Sequence, residues 1–315
     1  MLYKISNFSS HTIIMETKLF NSLLFIFLSV FNSFSQDSSP IKQGASLELV
    51  ADGFKFTEGP AEDKEGNVYF TDQPNNQILK WDRERDTVLV YMDDAGRSNG
   101  LFIGNDEVLY ACADENFQLW KIESPKKITV LADGFDSTNF NGPNDLWIDD
   151  KGGIYFTDPY YQRPYWERKA PEMDSARVYY LTPDYKSLRV VAEGFDHPNG
   201  IIGSIEDKIL YVADNSDSKT FVYDILENGD LANRRLFVEM GSDGMTLDNQ
   251  GNVYLTGDGV HIYDKNSNLL HHIDIDKGWT SNVTFGGQDF NWLFITALDA
   301  VYKIEMKTHG IRSWE

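Results

Sequence analysis

Short runs of alternating apolar and polar residues, bounded by turn residues, recur along most of the chain. Examples are VYFTD at 68–72, IYFTD at 154–158 and VYLTG at 253–257, which are rich in aromatic and β-branched residues. A hydrophobic period of two is typical of half-buried antiparallel strands. The 3.6-residue periodicity of amphipathic helices is scarce, so the pattern predicts an all-β protein.

The strands belong to a repeat. Six short polar segments align at intervals of 41, 45, 55, 44 and 39 residues, and we call their central residues the six channel residues: Glu58, Asn99, Asn144, Asn199, Asp243 and Asn282. An aromatic residue follows each by 11 or 12 positions, at Tyr69, Tyr110, Tyr155, Tyr211, Tyr254 and Phe294. So constant an offset indicates one hairpin repeated six times.

Third and fourth strands follow most of these hairpins, but the sixth repeat ends after its third strand. LELVADGF at 47–54 matches the fourth strands ITVLADGF at 128–135 and LRVVAEGF at 188–195. The N-terminal segment is therefore predicted to supply the missing outer strand, which closes the ring and removes exposed sheet edges. We predict a single six-bladed β-propeller over residues 46–307, with four antiparallel strands per blade and a tail at 308–315.

The first 35 residues differ from the rest. LLFIFLSVF at 23–31 follows Lys18 and precedes small residues. Nine apolar residues are fewer than the roughly 20 that span a bilayer. The segment is predicted to be a secretory signal ending near Ser35, with Met15 a better-placed start than Met1. A buried or anchoring helix is the alternative. We expect an exported protein, periplasmic or extracellular, with no membrane association after cleavage.

The composition narrows the choice of partners. The 315 residues include 28 Lys and Arg against 49 Asp and Glu, a formal charge of −21. So acidic a chain repels phosphate backbones, so no nucleic-acid partner is expected. The single cysteine, Cys112, excludes a disulfide framework. The sequence leaves a monomer and a dimer equally open.

The six channel residues begin or precede the first strand of each blade, and the first strands of a propeller line its central channel. All six carry a side-chain oxygen. A wet channel mouth accepts polar residues of any kind, an explanation that stays open for Asn99 and Asn282. Glu58 and Asp243 are harder to explain in this way, because carboxylates drawn together repel unless a cation or proton lies between them. Carboxylate and amide oxygens suit calcium, whereas zinc prefers His or Cys and magnesium demands near-octahedral geometry.

The motifs resemble those of a known family. TEGP at 57–60, GPND at 142–145, PNGI at 198–201, DGMTLDNQGNVY at 243–254 and FGG at 285–287 are similar, in this order, to motifs of regucalcin (senescence marker protein) and the bacterial gluconolactonases. The resemblance implies a six-bladed propeller lactonase with one divalent cation, calcium or another such as zinc or magnesium, held by Glu58, Asn144, Asn199 and Asp243. Gly142 stands where animal regucalcins have an arginine, so their mode of substrate recognition is in doubt here.

The hypothesis is a calcium-dependent hydrolase that opens a small, sugar-derived lactone. Asp243 is the candidate general base, as the resemblance also implies, and Glu58 is the alternative. Candidate substrate-binding residues are Asn99, Arg97, Asn282, Tyr160 and Tyr161. Arg97 could equally form a surface salt bridge. The two tyrosines lie in a long loop after 154–158 that could cover the site, or pack on its own blade.

Two rival functions remain. One is a phosphotriester or fluorophosphate hydrolase that uses the same cation. The other is a non-catalytic propeller that binds glycan or peptide and holds calcium for structure. One GxSxG match is present, GRSNG at 96–100, but it begins a strand of the repeat instead of joining a strand to a helix, so a Ser-His-Asp triad has no support.

Overall fold

The computed structural model describes residues 39–311. The predicted leader at 1–35 and the last four residues of the predicted tail lie outside this range. Within it, no helix is long and apolar enough to cross a membrane.

Six four-stranded antiparallel sheets account for most of the described chain. The first three, in order from the innermost strand outward, are blade 1 with Thr57–Glu62, Val68–Asp72, Gln77–Asp82 and Thr87–Asp93, blade 2 with Ser98–Ile103, Leu109–Ala113, Gln118–Ser124 and Lys127–Ala132, and blade 3 with Leu146–Ile148, Ile154–Asp158, Ala176–Leu181 and Leu188–Phe195.

The other three complete the ring. They are blade 4 with Pro198–Ser204, Ile209–Asp214, Lys219–Ile225 and Leu231–Val238, blade 5 with Met245–Leu247, Val253–Gly257, Gly259–Tyr263 and Leu269–Ile273, and blade 6 with Asn282–Gly286, Trp292–Ala297, Ala300–Glu305 and Glu48–Asp52. Two 3-10 turns, Gln73–Asn75 and Asp114–Asn116, follow the second strands of blades 1 and 2. A small hairpin pairs Gly134–Phe135 with Thr138–Asn139.

The ring closes where blade 6 meets the N-terminal segment. Glu48–Asp52 pairs antiparallel with Ala300–Glu305, and the innermost strands of neighbouring blades contact each other all the way round. The predicted six-bladed propeller, with four strands per blade and closure by the N-terminal strand, is confirmed.

The core lies between the blades. The repeated aromatic residue of the second strand is buried in blades 2 to 6, and only Tyr69 of blade 1 is partly exposed. Two positions further along, buried threonine hydroxyls reach the next blade: Thr71 Oγ1 donates to the Asn99 carbonyl (3.1 Å) and Thr157 Oγ1 to the Asn199 carbonyl (2.8 Å). These bonds fix the backbone at the channel residues, so the hairpin repeat positions the site.

Candidate active site

All six channel residues are buried at one end of the central channel. Their exposed fractions lie between 2% for Glu58 and 8% for Asp243. Glu58, Asn99 and Asn199 are the second residues of their innermost strands, and Asn282 is the first. The remaining two, Asn144 and Asp243, lie two residues before their strands. The predicted convergence of distant segments is therefore present in the fold.

Segments that lead into the channel residues are held by aspartates at the ends of second strands. The Asp158 carboxylate accepts hydrogen bonds from the backbone N–H groups of Asn141 (2.9 Å) and Gly142 (2.7 Å), just before Asn144. Asp214 accepts in the same way from Asp196 and His197, at 2.7 and 3.0 Å. Each carboxylate thus satisfies two backbone donors and aligns the segment that leads into the channel.

Asp243 and Asn199 form a hydrogen-bonded pair. Asn199 Nδ2 donates to Asp243 Oδ1 at 2.7 Å and to the Tyr161 hydroxyl at 3.2 Å. The second oxygen of Asp243, Oδ2, accepts from Trp279 Nε1 at 2.6 Å. Burial raises the pKa of Asp243 to about 6, although the bonds from Trp279 and Asn199 and the positive charge of Arg163 oppose the rise.

Glu58 lies in the same electrostatic environment. Its Oε2 accepts from Asn282 Nδ2 at 3.1 Å and from the Gly59 N–H at 2.7 Å. Burial raises the pKa of Glu58 well above its usual value, and the negative charge of Asp243 raises it further. The two carboxylates therefore act on each other, as the cation hypothesis requires.

In the part of the chain that the structure describes, two of the six channel residues carry a buried amide oxygen without a hydrogen-bond partner. Among the residues described, Asn99 Oδ1 and Asn199 Oδ1 are enclosed and accept no hydrogen bond. A buried acceptor without a donor costs about 1–3 kcal/mol. A hard cation between Glu58 and Asp243 would offset that cost at Asn199, so the residues fit a calcium ion. No three Asp, Glu, His or Cys side chains gather into a metal-binding group within residues 39–311, so such a site depends on amide oxygens.

The predicted substrate-binding residues fall in different places. Tyr161 reaches Asn199, and its ring packs on His197 with 5.0 Å between centroids. Tyr160 instead donates to Gln162 Oε1 at 2.6 Å. Arg97 donates to the Pro74 carbonyl at 2.7 Å, pairs with Glu115 at 3.4 Å and lies over the Tyr165 ring. In the structure Arg97 therefore forms the surface salt bridge that the sequence left open.

The loop after the second strand of blade 3, residues 159–175, which we call the lid, docks on blade 2. Asp114 Oδ2 accepts from Arg163 Nε and the Tyr165 hydroxyl, both at 2.8 Å, and the Asp114 carbonyl accepts from Trp166 Nε1 at 3.1 Å. A Cβ at Gly142 would lie 2.7 Å from Asp114 Oδ1 and 2.8 Å from the Trp166 ring. The lid therefore leaves no room for an arginine at 142.

Three further residues are candidates for a role in the site although the sequence did not predict them: Asp145, Arg163 and Trp279. Asp145 is 7% exposed, and burial raises its pKa to about 7, with the negative charge of Asp243 contributing. Its signal was available, because it follows Asn144 within GPND. Trp279 and Arg163 lie in loops with no repeat counterpart, so no periodicity marked them.

Known proteins are similar in sequence to most of this chain. The sequence model of the family described as SMP-30/Gluconolactonase/LRE-like region matches residues 56–299. A gluconolactonase of Zymomonas mobilis is 29% identical over 295 residues, which cover 84% of this chain and 82% of that protein. Regucalcin of Xenopus laevis is 23% identical over 262 residues, which cover 79% of this chain and 85% of that protein.

A solved structure is also similar to this chain, in both sequence and fold. A gluconolactonase from Xanthomonas campestris is 28% identical, covers 85% of this chain and 91% of its own, and superposes with a TM-score of 0.79. The resemblance to regucalcin and the gluconolactonases, drawn above from five motifs, is confirmed.

Proposed function

This chain belongs to the SMP-30/gluconolactonase/LRE-like family and is a lactonase, and we propose that it opens a sugar-derived lactone with a calcium ion held by Glu58, Asn144, Asn199 and Asp243. The observation that carries the proposal is the grouping of two interacting buried carboxylates with a partnerless amide oxygen on Asn199. Oxygen ligands of this kind favour calcium over zinc. When bound, the cation supplies Lewis-acid polarisation of the lactone carbonyl.

Asp243 is the proposed general base. Each of its oxygens accepts one hydrogen bond, which fixes the carboxylate plane and leaves lone pairs to take a proton from water. Its pKa is about 6 in the site without a cation, and a bound cation would lower it, so Asp243 is unprotonated near neutral pH and can accept a proton. Glu58 accepts its hydrogen bonds from Asn282 and from the backbone N–H of the next residue, Gly59, and we assign it to cation binding.

Neighbouring groups are proposed to hold the sugar. Asn99 Oδ1 is a buried acceptor suited to a substrate hydroxyl. Asn282 is oriented by Val283 N–H, which donates to its Oδ1 at 2.8 Å. Tyr161 forms one wall of the site, and its ring can stack on a sugar face. Arg97 and Tyr160 are oriented by the contacts described above and would act at the rim.

The wider setting is also a proposal. The leader predicted from the sequence at 1–35 favours export to the periplasm or outside the cell, where lactones from sugar oxidation would meet the enzyme. Lactone is the one partner proposed for the chain, as a monomer or a dimer.

The test is acid release from a panel of sugar lactones, with and without chelator. We expect wild-type turnover that chelator abolishes and calcium restores. Asp243→Asn should lower kcat by at least about 100-fold, the scale of general-base catalysis. Turnover of phosphotriesters alone would favour the phosphotriesterase hypothesis. Calcium-dependent folding without any turnover would favour the binding propeller.

A further inference from the structure

The lid carries a guanidinium group into the site. Arg163 pairs with Asp114 through Nε at 2.8 Å, and the two side chains are 20% and 3% exposed. The Asp114 pair fixes the guanidinium plane. The Arg163 guanidinium carbon also lies 5.7 Å from the centre of the Tyr161 ring, and Tyr161 contacts Asn199.

The two terminal nitrogens of this guanidinium have no hydrogen-bond acceptor in the described part of the chain. Within residues 39–311, the side chain of Arg163 makes one hydrogen bond, through Nε, and its two terminal nitrogens make none. Its positive charge acts on Glu58 and on Asp243, so the guanidinium lies within electrostatic range of the two carboxylates. The side chain is 20% exposed, so solvent alone satisfies these terminal donors, and an acceptor that arrives with the substrate can replace that water.

Holding the lid down does not by itself require this charge. Tyr165 donates to the same Asp114 oxygen at 2.8 Å, Gln73 Nε2 donates to it at 3.1 Å, and Trp166 bonds the Asp114 carbonyl. Neutral donors thus already satisfy Asp114. What arginine adds is a planar pair of terminal N–H donors, whose geometry matches a carboxylate.

We infer that Arg163 is a specificity-determining residue whose terminal nitrogens bind a free carboxylate on the substrate, so that the preferred lactones are those of dicarboxylic sugar acids. This inference rests on the proposed lactonase function. The ester carbonyl would lie toward Glu58 and Asp243 while the second acid group meets the lid.

The experiment compares two lactones that differ at one carbon. D-glucono-1,4-lactone ends in a hydroxymethyl group and D-glucaro-1,4-lactone in a carboxylate. Arg163→Gln should lower kcat/KM for the carboxylate lactone at least about 10-fold more than for the neutral one, mainly through KM, as expected for loss of a charge-assisted hydrogen bond. Arg163→Lys, which keeps the charge but loses the fork, should fall between.

The matched control is Arg168→Gln. Arg168 lies on the same lid, but its Nη1 donates to the Phe140 carbonyl at 2.8 Å and its guanidinium covers the Phe117 ring. Its loss should change both lactones by the same factor. An equal fall on both lactones for Arg163→Gln, or no change, would overturn the inference, because it would make Arg163 a lid contact only.

Calorimetry separates this inference from the proposed function. Wild type should bind D-glucarate at least about 10-fold more tightly than D-gluconate, and Arg163→Gln should lose that preference. If wild type hydrolyses neither lactone, the proposed function fails, and glucarate binding alone decides on Arg163. Equal binding of the two acids by wild type would refute the inference whatever the turnover.

Discussion

Replacing Asp114 by asparagine tests whether one buried carboxylate holds the lid over the site. Asp114 Oδ2 accepts three hydrogen bonds, from Gln73 at 3.1 Å and from Arg163 and Tyr165 at 2.8 Å. Asparagine has nearly the same shape but no charge. The variant therefore weakens the contacts of the lid without opening a cavity.

The size of the expected loss of stability depends on how deeply the Asp114–Arg163 ion pair is buried. Removing one partner of a fully buried ion pair costs about 3–5 kcal/mol. Arg163 is one-fifth exposed and asparagine keeps one acceptor oxygen, so we expect about 1–3 kcal/mol. Because Arg163 and Tyr165 lie in a loop, most of this should appear as easier local opening. The opening equilibrium should rise about 5- to 150-fold.

Hydrogen exchange followed by mass spectrometry measures this directly. Peptides covering residues 159–175 should exchange faster by that factor, while the other blades stay unchanged. Asp224→Asn is the control, because Asp224 also bonds an arginine, Arg235 at 2.7 Å, but on the outer part of blade 4. Unchanged lid exchange in Asp114→Asn, or faster exchange spread evenly over all blades, would refute the reasoning.

Three further outcomes are expected. Thr157→Val leaves the buried Asn199 carbonyl without its hydrogen-bond donor, so the free energy of unfolding measured with denaturant should fall by about 1–3 kcal/mol. Calorimetry should also show weaker calcium binding by this variant. Thr71→Val removes the corresponding bond to Asn99 and should lower stability alone. Gly59→Ala, at φ +46 with its Cβ 2.1 Å from a backbone oxygen of blade 2, should destabilise the fold by at least about 3 kcal/mol in the same unfolding assay. Because protons compete with calcium for Asp243, whose pKa is about 6 in the site without the ion, calcium affinity measured by calorimetry should fall as pH drops through about 6 and level off above it, and a pH-independent affinity would contradict its role as a ligand.

The repeat made much of the site predictable. Equivalent positions of equivalent hairpins must meet at the channel, so Glu58 and Asp243 could be paired from sequence across 185 positions. The same argument identified Asn199, whose amide oxygen proves to be buried and unpartnered within the described chain. At these positions the six-fold repeat brings residues that are far apart in sequence close together in the fold.

Contacts outside the repeat could not be derived in this way. The sequence suggested that the lid covers the site or packs on its own blade. Met173 does pack on blade 3, where the Tyr179 hydroxyl donates to its sulfur at 2.9 Å. Arg163 and Tyr165, however, dock on Asp114 of the neighbouring blade. That docking depends on where a 17-residue loop folds over, at 159–175, which no period constrains. Trp279 was missed for the same reason, although its indole bonds Asp243.

Terbium luminescence excited through tryptophan is the most direct test of a cation between Glu58 and Asp243. Terbium takes calcium's oxygen sites, and the Trp279 indole nitrogen lies 2.6 Å from Asp243 Oδ2, close enough to sensitise emission. The account predicts emission that saturates at one ion per chain, is displaced by calcium, and is lost in Glu58→Gln and in Asp243→Asn. Emission that both variants retain at wild-type affinity would contradict it.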